Sequence, residues 1–95
     1  MRCPAVIVSN DGANAAAGSR GEGAITVIPL SSRVEQIFPF QALIASAIAG
    51  LPEDTKAHAE QVRSISVQRV GPKVGMIAAT EMGEIDRALR MQLGL

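Results

Sequence analysis

Near the start of the chain Pro4 is followed by four small or β-branched apolar residues, Ala5-Val6-Ile7-Val8, and then by Ser9-Asn10-Asp11-Gly12. A short apolar run bounded by a proline and a turn cluster predicts a strand buried on both faces. Such a strand belongs in the middle of a sheet and needs a neighbour on each side. The stretch begins at Cys3, so little chain precedes it to help supply those neighbours, and the start is expected to be shorter than the fold requires.

The chain has 95 residues, is 47% hydrophobic and contains two aromatic residues, both Phe. That length suits one domain, residues 1–95, with a core of Val, Ile, Leu, Ala and Met and no need of metal or disulfide staples. Nine basic and nine acidic residues cancel, so net charge gives no argument for a nucleic-acid binder, though a local patch can still serve. One cysteine and one histidine exclude an intrachain disulfide and a Cys/His zinc site. No apolar run has the length of a membrane span and no signal-peptide pattern opens the chain, which predicts a soluble cytoplasmic protein.

Residues 12–23 hold four glycines and predict a mobile loop with at most one helical turn over 14–17; no phosphate-loop pattern is present. A second strand is expected over 24–30, with Pro29 forcing its end toward a sheet edge or a bulge. Ser31, Ser32 and Arg33 then place hydroxyls and a cation at the strand's mouth. Residues 36–44 read as an edge strand on which Phe38 and Phe40 share one face, as a corner of the core or, less simply, a base-stacking pair.

Residues 45–50 read as loop, 51–55 as a turn and 56–61 as a lead into a strand at 62–67. In that strand Arg63 shares a face with Ile65 and Val67, where a guanidinium wants a carboxylate or a phosphate. His58 is alone in the sequence, and spacing builds no general base around it. A short strand is expected at 74–77. The last element is an amphipathic helix with Met82, Ile85 and Leu89 on one stripe and Gln92 and Leu93 next along it. Glu81 and Glu84 near its start and Arg87 and Arg90 near its end suit the helix dipole, and Gly94 stops it. Ala78 stands where a Ser would complete a capping box. The expected order is five short strands and one C-terminal helix, a mainly β (α+β) class.

Taken together, Arg2-Cys3-Pro4-Ala5-Val6-Ile7-Val8-Ser9-Asn10-Asp11, Val27-Ile28-Pro29-Leu30-Ser31-Ser32, Phe38-Pro39-Phe40, Gly50-Leu51-Pro52-Glu53-Asp54-Thr55, Glu60-Gln61-Val62-Arg63-Ser64-Ile65 and Ile85-Asp86-Arg87-Ala88-Leu89 resemble the MazF/PemK family of toxin endoribonucleases, in the family's order. The resemblance implies an SH3-like small β-barrel of the MazF/PemK/CcdB toxin type with a C-terminal helix, working as a homodimer. It implies cleavage of single-stranded RNA, such as mRNA, at short sequences, without metal or other cofactor, and silencing by a cognate antitoxin protein. The chemistry is attack of a ribose 2′-OH on its own 3′-phosphate, which needs a proton acceptor, a cation against the phosphorane charge and an acid for the leaving oxygen.

Carried over position by position, the resemblance puts the family's threonine at Ser31 and its arginine at Cys3, with Arg2 next door. It places Asn10, Ser32, Arg33, Gln61 and Arg63 on the substrate. Serine keeps the hydroxyl, but a thiol does not replace the permanent charge and five donors of a guanidinium. In a strand a one-residue shift turns a side chain to the other face, so Arg2 substitutes only where a frayed terminus relaxes the alternation. The family's first strand and the Gly-Ser-Glu-type loop after it have no counterpart here. Two readings follow: an active ribonuclease that uses Arg2 or has its natural start upstream of Met1, and a degenerate relative that keeps the dimer and binds antitoxin or RNA without cutting. A gyrase-poisoning toxin of the same barrel class is a third, which the motifs favour less.

Overall fold

The computed structural model describes residues 4–45, 51–71 and 75–95. The described elements are strand β1 (Ala5–Ile7), helix α1 (Asp11–Arg20), strands β2 (Ala24–Ser31), β3 (Gln41–Ile44), β4 (Thr55–His58) and β5 (Arg63–Ser66), and helix α2 (Ala79–Leu93). Single 3-10 turns at Ala59–Gln61 and Val67–Arg69 flank β5. All pairings are antiparallel, in the order β1-β2-β4-β3, with β5 also on β2. This is the expected mainly β chain with a C-terminal helix, but the described strands form an open sheet rather than a closed barrel.

β2 is the strand on which the others assemble. Leu30 N donates to Pro4 O at 3.0 Å and Val8 N donates to Thr26 O at 2.9 Å, so the even-numbered residues of β2 bond to the β1 side. The odd ones bond on the other side, toward β5 at Val27 and toward β4 at Ser31. Pro29 has no N–H to give, and it falls where β5 has left and β4 has not yet taken over. It therefore neither ends the strand nor makes it an edge, and β2 carries on to Ser31.

β1 pairs only with β2 among the described strands, and Ile7 is 44% exposed, so it is an edge strand rather than the central one. Of its three residues only Val6 is buried. Residues 11–20 form a ten-residue helix where a loop was expected. Three consecutive alanines favour helix strongly enough to outweigh the flanking glycines. Asn14 also ties the helix to the chain before it, because the Ser9 hydroxyl donates to Asn14 Oδ1 and Asn14 Nδ2 donates to Ser9 O at 2.9 Å.

β3 begins only at Gln41, because Gln41 N closes a turn onto Phe38 O at 2.9 Å. It is an edge, as expected. The Phe38 and Phe40 rings do lie together, with centroids 5.4 Å apart and planes 9° from parallel. Phe38 is 41% exposed, however, so the pair is a surface feature and not a corner of the core. β4 spans the end of the expected turn and the start of the expected lead-in, and Gly75 to Ile77 is not strand; Val74 is outside the described residues, as are 46–50.

The main core lies between the sheet and α2. Val6, Ile28, Leu30, Ala42, Ile44, Ala57, Ala59, Ile85 and Ala88 are buried in it, with Met82 and Leu89 packed against it. The helix stripe ends at Leu89, and Leu93 is exposed. α2 starts at Ala78 with no side-chain cap and ends at Gly94, whose φ of 73° is the left-handed conformation that glycine adopts freely. A smaller cluster of Ala17, Ile25 and Val27, joined by Ile65 and Val67, joins α1 to the opposite face of β2.

Candidate functional site

Strand alternation sorts the residues of the sheet into two sets. Leu30, Ala57 and Ala42 stand opposite one another across β2, β4 and β3 and face the core under α2. One step along, Ser31, Lys56 and Leu43 form the next row, and they face the other way. Gln41 and His58, paired across β3 and β4, share that outward face. This face of the sheet is where the polar chemistry of the chain collects.

Ser31 closes β2 and is half-buried, and its Oγ accepts from Arg33 N at 3.1 Å. Ser32 and Arg33 follow it on the surface. Since Leu30 N bonds Pro4 O, the amino end of β1 runs beside the carboxyl end of β2 that carries Ser31. Arg2 and Cys3 themselves lie outside the described residues. Ser31, Ser32 and Arg33 are therefore one group by chain continuity.

The other anticipated residues stand apart from that group. Arg63 pairs with Val27, four residues before Ser31, which is about 13 Å along an extended strand. It is exposed, and no carboxylate among the described residues pairs with it. Gln61 is exposed at the end of the 3-10 turn before β5. Asn10 heads α1, where its carbonyl accepts from Asn14 N at 3.0 Å, on the β1 side of β2. Arg63 and Asn10 thus flank β2 on opposite sides.

A second polar group was not anticipated. Buried Gln41 donates through Nε2 to Glu60 Oε2 at 2.9 Å and lies 3.2 Å from His58 Nδ1, which is itself 3.3 Å from Glu60 Oε2. Burial pushes the Glu60 carboxyl up, but the hydrogen bonds from Gln41 and His58 and from its own backbone outweigh it, and the net shift is downward from 4.5. Gln41 Oε1 accepts from Phe38 N at 3.1 Å, and Arg87 of α2 donates to Pro39 O at 2.7 Å and Gln41 O at 3.2 Å. The turn that displays Phe38 is thereby held from both the sheet and the helix.

Lys56 was missed as well, although alternation across Thr55-Lys56-Ala57-His58 puts Lys56 with His58 and gives the signal once that stretch is read as a strand. Its side chain is buried, its ammonium donates to Gln36 O at 2.8 Å and stands 5.9 Å from the centre of the Phe38 ring. No group of three or more His, Cys, Asp or Glu able to hold a metal is found among the described residues. No helix there is long and apolar enough to cross a membrane.

Residues 1–93 match the family model described as PemK-like, MazF-like toxin of type II toxin-antitoxin systems. The chain belongs to that family. It is 46% identical over 92 residues to Endoribonuclease MazF9 of Mycobacterium tuberculosis, spanning 97% of this chain and 78% of that protein. Its fold superposes on the M. tuberculosis toxin MazF-mt6 with a TM-score of 0.83 at 17% identity, over 98% of this chain and 87% of the other. It also superposes on a mycobacterial endoribonuclease solved in complex with its cognate antitoxin, with a TM-score of 0.79 at 22% identity, covering 98% and 82% of the two chains. The family fold is therefore present even though the described sheet stays open.

Proposed function

We propose that this toxin is an endoribonuclease that cuts single-stranded RNA by attack of a ribose 2′-oxygen on the adjacent phosphorus. The observation that carries the reading is the 46% identity, over nearly the whole chain, to a relative named as an endoribonuclease. In this reaction the 2′-oxygen forms a bond to phosphorus and the 5′-oxygen bond breaks. The products are a 2′,3′-cyclic phosphate and a 5′-hydroxyl. One proton leaves the 2′-hydroxyl and one reaches the departing 5′-oxygen.

The nucleophile is part of the substrate, so no metal-bound hydroxide is required of the protein. Ser31 is the side chain we assign to the reacting phosphate, orienting it or relaying a proton. Arg2 is the candidate cation, covalently within two residues of Pro4 and so within about 7 Å of extended chain from it. Ser32 and Arg33 would hold the strand beside the cut, and Asn10, Gln61 and Arg63 would engage RNA farther along. The antitoxin in the mycobacterial complex supports a protein partner of the same kind here. The outer edge of β1, unpaired among the described residues, supports a homodimer, which sedimentation at micromolar concentration tests.

The purified chain should cut a single-stranded RNA oligonucleotide in the presence of EDTA and leave a 2′,3′-cyclic phosphate. Placing a 2′-deoxy sugar at the cut position should stop it. Cleavage that survives the deoxy sugar, or that EDTA abolishes, contradicts the mechanism. The presence of Cys3 at the family's arginine position favours the second reading, a relative that binds without cutting. If a lost arginine is the defect, Cys3→Arg should raise cutting about 10²–10³-fold while Arg2→Ala changes little. If Arg2 does the work, Arg2→Ala should abolish cutting and Cys3→Arg should add almost nothing.

A further inference from the structure

Lys56 is 7% exposed and has no ion pair with any carboxylate among the described residues. Burying an ammonium without a counter-charge is costly, and one backbone carbonyl and the Phe38 ring 5.9 Å away offset that cost only in part. Three carboxylates of the fold are engaged elsewhere: Glu60 with Gln41 and His58, Glu81 with Ala45 N, and Glu84 with Arg87. Gln36 O takes one of three ammonium hydrogens, and no second acceptor is found among the described residues. A methionine or leucine would fill the same slot without the charge. The position is informative, because Lys56 is the direct cross-strand neighbour of Ser31 and their side chains share the outward face of the sheet.

We propose that Lys56 is a phosphate-binding cation of the cleavage site, acting on the phosphate that Ser31 addresses. The assignment rests on the ribonuclease reading above and adds to it the residue that offsets the charge where Cys3 replaces the family's arginine. No bond to Lys56 is made or broken. As the 2′-oxygen closes on phosphorus, the equatorial oxygens gain negative charge, and an ammonium already desolvated beside them strengthens its hold as that charge grows. Lys56 lies in β4, whose two ladders fix its backbone, so the cation is held in place before the RNA arrives. The Phe38 turn carries its ring beside the ammonium, and Gln41 and Arg87 bond that turn.

The test compares wild type with Lys56→Met and Lys56→Arg, using single-turnover cleavage of a single-stranded RNA, binding of its 2′-deoxy analogue at several salt concentrations, and thermal melting. The proposal expects Lys56→Met to cut about 10²–10³-fold more slowly, mostly through kcat. It expects the salt slope of binding to shrink by about 0.7, one phosphate's worth on a single strand. Melting should hold or rise, since an uncompensated buried charge is gone, and Lys56→Arg should recover much of the rate. Cleavage by Lys56→Met within a few-fold of wild type overturns the assignment and leaves the ribonuclease reading standing. A rate loss matched by lower melting and an unchanged salt slope overturns it too, marking Lys56 as structural. If wild type binds the analogue with a Lys56-dependent slope but cuts nothing, the cutting reading falls and the phosphate site stands. If wild type neither binds nor cuts, both fall.

Discussion

The two faces of this sheet use the same strands for different ends. Under α2, Ile28, Leu30, Ile44, Ala57 and Ile85 pack with less than a tenth of their surface left to solvent. One residue along each strand, the opposite face carries Ser31, Lys56, Gln41 and His58; Ala17 of α1 covers its far end against Ile25 and Val27, and Lys56 and Gln41 are buried near the Phe38 turn. Apolar burial is thus concentrated on one side, which leaves the other able to hold polar groups that contribute little to folding. A change under α2 should alter stability first, and a change on the outward face should alter chemistry first.

The largest effect should come from the covered face. Ile85 is fully buried at the centre of the core, and Ile85→Ala should cost about 2–5 kcal/mol. A domain of this size has roughly 5–14 kcal/mol in total, so the variant sits near its unfolding limit. Ile85→Val should cost only about 0.5–1.5 kcal/mol, and denaturant titration reads both. Cleavage should fall only as far as the folded fraction does. A larger loss of rate in folded Ile85→Val would mean that the two faces are coupled.

A smaller effect is expected at Glu81, the charged residue that the covered face does bury. Its Oε2 accepts from Ala45 N at 2.7 Å, while its Oε1 has no partner among the described residues. Glu81→Ala strands that N–H and should cost about 1–3 kcal/mol, whereas Glu81→Gln keeps an acceptor and should cost less. Equal melting of all three proteins would show that this bond contributes nothing.

The smallest effect belongs to the outward face. The Glu60 carboxyl titrates below its usual value in the folded chain. A group of that kind contributes stability above its unfolded pKa and loses it as pH falls through the folded one. Melting temperature should therefore decline as pH drops below about 4.5 in wild type, and decline less in Glu60→Gln. Parallel profiles for the two proteins would remove Glu60 from the acid response.

How much of this was legible follows from what each segment has to offer a reader. Met82, Ile85 and Leu89 announce α2 because an apolar stripe at helical spacing has one reading. α1 carries no such stripe; among its described side chains only Ala17 is buried, and what marks it is the intrinsic preference of alanine, which four nearby glycines disguise. β4 was hidden because Thr55-Lys56-Ala57-His58 lacks the β-branched run of a strand, and its burial comes from having β2 and β3 on either side. β1 misled in the other direction: its composition suits a central strand, but its partners place it at the edge. Ser31 was legible through the motif around it. Lys56 was not, since its meaning depends on the register that sets it opposite Ser31.

If the outward face carries the reaction independently of the core, Ser31 is where the separation shows most directly. Among the described residues its Oγ bonds only the exposed Arg33 N–H, which water can satisfy, so Ser31→Ala should change stability by no more than about 0.5 kcal/mol. Single-turnover cleavage and thermal melting should be measured on the same preparations of wild type, Ser31→Ala and Ser31→Thr. Melting should be unchanged, with a rate about 10²–10⁴-fold lower in Ser31→Ala and a rate held or raised in Ser31→Thr. Equal cleavage by all three, or a loss in Ser31→Ala that simply follows its melting temperature, would contradict that separation.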